Sequence, residues 1–284
     1  MVVCLGTGET EAADVEKNGK FRDRSVTANG IRIRVIEGTE TEKPPLLLLH
    51  GIFDRAEGWQ PVVDALSRQF RLIMPDLRGH YQSEWPSEGY ELRDYAADAI
   101  SLLDALGIED AVVLGHSLGA LVAMEVAGAS PAHVRAVILE DPPSDLNDQT
   151  RTWVGALLSA KHGTPQQTYV ALQGIYPDTS EDELRRETEW IRATADGPFL
   201  ALADVAGQRT GGFSAAMERI SHPVLLLQAD PRRGGALSVV AARKAVATHE
   251  RCRLVTFHDT GHTIHRERPV EFVTAVSEFL IEPE

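Results

Sequence analysis

The stretch that decides the fold is Val112–Glu125, VVLGHSLGALVAME. An apolar run leads into Gly115-His116-Ser117-Leu118-Gly119, and small and apolar residues then recur at helical spacing. That is the order of a buried strand turning abruptly into a helix. The residue at such a turn is held in strained backbone geometry, with its side chain pointing out of the sheet. A side chain two positions away would strike the neighbouring backbone, so those places require glycine. Ser117 then stands at the N-terminal end of the helix that follows, where backbone N–H groups and the helix dipole favour negative charge. A hydroxyl so placed is a candidate nucleophile if a base takes its proton. The plain alternative, a helix N-cap, is disfavoured by the flanking glycines.

Working outward, RSVTANGIRIRVIEG (Arg24–Gly38) alternates β-prone residues about Asn29-Gly30, a two-residue hairpin signal. Short, fully apolar runs follow at Pro45–Gly51, Arg71–Asp76, Ala111–Ser117, Val134–Asp141, Pro223–Asp230 and Cys252–Asp259. Runs of this kind fit strands buried on both faces, hence a mostly parallel sheet. Helical patterns over Trp59–Gln69, Tyr90–Leu106, Leu118–Ala129 and Pro269–Ile281 separate or close them. A hairpin and then alternating strand and helix predicts a doubly wound α/β sheet. Between Pro142 and about Ile220 no strand pattern occurs, while helical patterns cover Arg151–Ala160, Pro165–Ile175 and Glu181–Ala195. A structureless loop of that length is implausible, so the segment is a helical insertion. The division expected is a disordered tail over 1–18, a core domain over 19–142 and 220–284, and a helical cap over 143–219.

Composition narrows the function. The 284 residues, 43% apolar and 25% charged, suit one large globular domain with an insertion. A net charge of −14 repels phosphate backbones and anionic lipid, so nucleic acid and membrane surfaces are not expected partners. No apolar run is long enough for a transmembrane helix, and the first residues lack the basic region of a signal peptide, so the expectation is a cytoplasmic protein. Cys4 and Cys252 read as free thiols. No zinc or P-loop spacing is present, so neither metal nor cofactor is expected.

Four signatures in this order, LLLLHGIFDRAEGW, MPDLRGHYQSEWP, LGHSLG and DTGHTIHRERP, make the chain from about residue 20 to 284 resemble the α/β-hydrolase superfamily. The resemblance implies an α/β-hydrolase fold, a mostly parallel central sheet flanked by helices with a helical cap. It also implies a cofactor-free serine hydrolase in which Ser117 is the nucleophile and His262, directly after Gly261, the base. His116, His265 and the remaining histidines take the bland reading. In the family two backbone N–H groups hold the oxyanion, here those of Ile52 and Leu118. The side chains of Phe53, Trp153 and Trp190 are candidates for the substrate pocket, although the insertion's aromatics also serve as its own core.

The acid departs from the usual pattern. Most relatives place it a few residues past a glycine that ends the strand here read as Pro223–Asp230. Ala229 stands for that glycine and Arg232 at the expected position, leaving Asp230 as the near carboxylate. A second location follows the preceding strand, and a resemblance to the zearalenone-type lactonases puts the acid on Asp141 there. Asp230 and Asp141 stand level, with Glu140 third. Pro142 favours an extended backbone at Asp141. Asp76 and Arg78 read as a structural ion pair, and Tyr81 replaces a usual glycine.

The activity so implied is cleavage of a carboxylic ester, as a carboxylesterase or lactonase, on a small apolar or aromatic substrate, by a monomer or homodimer. Serine at the turn argues against the dehalogenase and epoxide-hydrolase branches, which carry aspartate there. The same residues also serve C–C bond or amide hydrolysis, and a non-catalytic small-molecule receptor on this fold is the reading from a different class.

Overall fold

The computed structural model describes residues 15–17, 19–177, 179–207 and 212–281. Among them one nine-stranded sheet runs through the molecule. Strands β1 (Val15–Lys17), β2 (Phe21–Ala28) and β3 (Ile31–Gly38) form an antiparallel edge. The β2–β3 turn is the expected one: Asn29 and Gly30 both have positive φ, 50° and 78°, as a two-residue hairpin of this hand requires. Next come β4 (Pro45–Leu49), β5 (Arg71–Pro75), β6 (Ala111–His116), β7 (Val134–Glu140), β8 (Val224–Gln228) and β9 (Cys252–Thr256). The spatial order is β1-β2-β3-β5-β4-β6-β7-β8-β9, parallel from β5 to β9. The expected tail is thus corrected at 15–17, which pair with β2; residues 1–14 and 18 lie outside the described residues, Cys4 among them.

The apolar runs are strands because both faces are covered. Leu47, Leu49, Val113 and Leu226 face the layer of α2 (Leu92–Ala105) and α3 (Leu118–Ala129). Leu46, Leu48, Leu114 and Leu227 face Trp59, α1 (Gln60–Leu66) and a C-terminal helix that contributes Phe272 and Val276. Alternate residues thus pack into opposite layers, which is why neither position of the strand period is polar.

Among the described residues between β7 and β8 lie five helices rather than the three expected: α4 (Asp148–Lys161), α5 (Pro165–Ile175), α6 (Glu181–Arg192), α7 (Asp196–Gly207) and α8 (Gly212–Glu218). Gly197 and Pro198 fall in the first turn of α7, where proline's missing N–H is no loss. Leu157, Leu172, Ile191 and Phe199 give this segment a core, and Phe53 from the loop after β4 packs into it. The loop after β5 fastens it to the sheet, through Tyr81 N–H to Ala193 O (2.8 Å) and Ala195 N–H to Gly79 O (2.7 Å). The chain closes with α9 (Val239–Thr248), α10 (Ile264–Glu267) and α11 (Pro269–Ile281). No described helix is long and apolar enough to cross a membrane. Cys252 is a free thiol.

Asp76 and Arg78 do not pair with one another. Asp76 accepts from Arg34 (3.0 Å) and from Ala56 N–H (2.9 Å), while Arg78 Nε donates to Asp98 (2.6 Å). Tyr81 adopts φ 43°, a left-handed conformation that explains why glycine suits the position, and its ring lies beneath the Arg55 guanidinium.

Candidate active site

The site is assembled where β4, β6 and β7 end. Ser117 joins β6 to α3 with φ 52° and ψ −114°, strained for a residue with a side chain. The glycines beside it are compelled by contact. A Cβ at Gly115 would lie 2.0 Å from Gly119 O, and one at Gly119 would lie 2.0 Å from Leu49 O. Sheet packing, not local propensity, therefore sets the elbow.

His262 follows β9, in the loop before α10. Its Nδ1 donates to Asp141 Oδ2 at 2.6 Å. Asp141 is fully buried, and its carboxylate also accepts the N–H groups of Ala236 (2.7 Å), Ala229 (3.2 Å) and Leu237 (3.2 Å). Four donors on one carboxylate offset the loss of water that would make a buried charge costly. The bond to Nδ1 leaves Nε2 of a neutral imidazole bare and able to accept a proton. A third of the His262 side chain is exposed (33%), on the cavity it shares with Ser117. Among the described residues no hydrogen bond joins the Ser117 hydroxyl to this ring; such pairs commonly tighten only around substrate.

Two expectations about the acid are corrected. Asp230 does not serve the imidazole: its oxygens accept Arg232 N–H (2.9 Å), the Arg232 guanidinium (2.7 Å) and Asp259 N–H (3.1 Å). Those contacts, the Arg232 side chain first, hold its carboxyl well below the usual range. The backbone of Asp141 is left-handed, φ 44°, not extended as Pro142 suggested. That turn sends the side chain back across the strand ends. Glu140 bonds His265 instead, accepting its backbone N–H at 2.9 Å.

The Ile52 N–H, expected to be an oxyanion donor, is oriented by a residue the sequence left bland. His50 Nε2 accepts Leu77 N–H (2.9 Å), so its proton is on Nδ1 and is donated to Gly51 O (2.7 Å). Burial pushes this imidazole down to about 4, so it stays neutral. In a trans peptide the N–H opposes the C=O. With the Gly51 carbonyl held by His50, the Ile52 N–H is turned the other way. The Leu118 N–H, the other expected donor, lies at the first position of α3, where no intrahelical partner is available to it. The signal available in the sequence was the His-Gly pair directly after an apolar strand.

The cavity measures about 400 Å³. Ile52, Leu118, Leu121, Leu146, Trp153 and Leu202 give it apolar walls, and Asp145, Asn147 and Gln149 a polar edge. Trp153 lines it, with its indole N–H fixed on the Tyr176 hydroxyl (2.8 Å). Phe53 and Trp190 do not. Phe53, with φ 66°, packs on Phe199 at 4.4 Å inside the helical segment's core. Trp190 is buried under the guanidinium groups of Arg55, Arg266 and Arg186.

Comparison with known proteins agrees with this architecture. Residues 44–213 match the family model described as alpha/beta hydrolase fold, and the chain belongs to that family. It is 27% identical over 278 residues to the 2-(acetamidomethylene)succinate hydrolase of Mesorhizobium japonicum, covering 95% of this chain and 98% of that one. It is 28% identical over 252 residues to the pimeloyl-[acyl-carrier protein] methyl ester esterase of Nitrosomonas europaea, covering 81% and 93% respectively. The crystal structure of E-2-(acetamidomethylene)succinate hydrolase superposes with a TM-score of 0.79 at 24% identity, over 92% of this chain and all (100%) of that one. The protein is thus a member of a hydrolase family.

Proposed function

We propose that the protein is a serine hydrolase that cleaves a carboxylic ester, a lactone included, through an acyl-enzyme. The observation that carries this reading is the 2.6 Å bond from His262 to the buried carboxylate of Asp141, on a cavity shared with a strained Ser117. The Ser117 hydroxyl attacks the substrate carbonyl while His262 Nε2 takes its proton. Asp141 keeps the proton on Nδ1 and stabilises the imidazolium, without itself becoming protonated. The Ile52 and Leu118 N–H groups receive the negative charge on the tetrahedral oxygen, and each such donor is worth about 3 kcal/mol in the transition state. His262 then gives its proton to the departing alkoxide. Water, activated by the same imidazole, attacks the acyl-enzyme and releases the acid.

Helices α4 to α8 act as a lid whose Trp153 and Leu202 select a small apolar or aromatic acyl or alkyl group. The esterase of Nitrosomonas supports an ester bond. The Mesorhizobium relative, matched over nearly the whole chain, supports the second reading: an amide or C–C bond cleaved by the same three residues.

A panel of p-nitrophenyl esters, lactones, amides and diketones on wild type and Ser117→Ala separates the readings. Ester or lactone turnover that disappears in the variant supports the first. Turnover confined to amides or diketones supports the second. Ester turnover that survives in Ser117→Ala refutes the acyl-enzyme.

A further inference from the structure

The residues that would handle substrate account for Asp141 and His262. Beside them lie three buried polar side chains with no part in that chemistry: Glu140 (0% exposed), His265 (1%) and His116 (5%). A core of this kind packs as well with leucine or methionine, and burying a carboxylate with two imidazoles is costly unless each is held. Glu140 accepts the ring N–H of His265 at Nδ1, 2.9 and 2.8 Å from its two oxygens, as well as the His265 backbone N–H. Trp59 packs against the same ring, centroids 4.3 Å apart. His116 faces His262 at 4.7 Å and His265 at 5.4 Å between centroids.

The hydrogen bonds fix what these groups do. His116 Nε2 lies 3.1 Å from the carbonyl oxygen of His262, so that nitrogen carries the proton and donates it. Its Nδ1 lies against Gly51, where an added Cβ would come within 2.7 Å of it. His116 therefore touches the base's backbone and the oxyanion loop, and precedes the nucleophile in sequence. Glu140 and Asp141 are consecutive at the end of β7. Each binds one histidine of the loop after β9, Asp141 through residue 262 and Glu140 through residue 265. The loop is clamped at two points three residues apart, and a third bond holds the carbonyl between them and the elbow.

We propose that Glu140, His265 and His116 are positioning residues for the His262 imidazole, fixing its tautomer and its reach toward Ser117 by holding the 262–265 loop against the ends of β6 and β7. The inference rests on the assignment of His262 as base, but it can be read without turnover. In the wild-type full chain, imidazole ¹⁵N NMR at neutral pH should show His262 as one tautomer, protonated at Nδ1. Glu140→Gln removes one of the two carboxylate acceptors, and His116→Leu removes the donor to the His262 carbonyl. In either variant the two His262 nitrogen signals should move toward each other as the tautomers mix. Where ester turnover is present, kcat should fall roughly tenfold or more with KM little changed, and the midpoint of the kcat/KM pH profile should move. His116→Gln, whose amide N–H can reach the same carbonyl, should restore both readings toward wild type. The two disruptive variants are independent, so one that fails to fold leaves the other decisive. Unchanged His262 nitrogen signals in a folded variant overturn the proposal, whatever happens to activity. Absent Ser117-dependent turnover with shifted signals sinks the hydrolase reading and leaves the positioning intact.

Discussion

The ends of β7 and β8 lie side by side, and each carries a buried carboxylate. Asp141 is in left-handed backbone and turns toward His262; Asp230, with φ −74° and ψ 116°, is in extended backbone and turns toward Arg232 and Asp259. The first receives an imidazole and three backbone N–H groups, the second a guanidinium and two. In both, the charge is matched by donors. What differs is the direction in which the strand is left, and that direction decides which carboxylate reaches His262.

The contrast breaks most readily in kinetics. Asp141→Asn should lower kcat by about four orders of magnitude, because the amide stabilises the wrong tautomer and no imidazolium. Asp230→Asn should leave kcat within about tenfold of wild type. Steady-state rates on a p-nitrophenyl ester check both, and equal losses in the two variants would remove the distinction.

A second pair of residues repeats the contrast in the helical segment. Trp190→Ala opens a hole under three arginines and should cost about 3–5 kcal/mol in urea unfolding, with KM little changed in what remains folded. Trp153→Ala, on the cavity wall, should instead raise KM with a smaller stability loss. The reverse pattern would exchange their roles.

Acid treatment sharpens the comparison further. His50 is held neutral, down to about 4, His80 to about 3, and His116 well below its usual value, all chiefly by burial. The unfolded chain takes up these protons first, so each contributes stability that is present above pH 6.5 and lost as pH falls toward the folded value, roughly 3 kcal/mol for His50. Asp76 runs the other way. Burial raises it to about 6, so its contribution falls as pH rises from about 4 to about 6. Asp230, held low by Arg232, contributes only above the ordinary carboxylate range and loses that contribution below it. Urea unfolding between pH 4 and 7 should therefore give Asp230→Asn and wild type the same slope, and diverge only at lower pH. A difference between them near pH 6 would contradict that order of titration.

Much of the fold was legible because burial writes itself into composition. Six apolar runs became six parallel strands, and Asn29-Gly30 became the hairpin turn, since nothing distant competes with either signal. Ser117 was legible because only glycine fits on both sides of it, so that packing against β4 leaves its mark within five residues of sequence. Other features had no local signature. Helices α7 and α8 were hidden by glycine, proline and small residues, and Phe53 and Trp190 look like pocket aromatics until the first is seen packed on Phe199 and the second beneath the arginines. His50, His116 and His265 read as bland because an imidazole's role depends on which partners its two nitrogens meet.

By itself the sequence determined the layered sheet, the place of the elbow and the residue types that surround it, because strand and helix periods and the Gly-x-Ser-x-Gly spacing are each written over a few residues. The choice of Asp141 over Asp230, the facing of the Ile52 N–H and the clamping of the histidine loop were decided only in the tertiary structure. Each depends on the sign of a φ angle or on a hydrogen bond between segments tens of residues apart, as Leu77 N–H to His50 sets the imidazole that holds the Gly51 carbonyl, and those are set by packing the whole sheet.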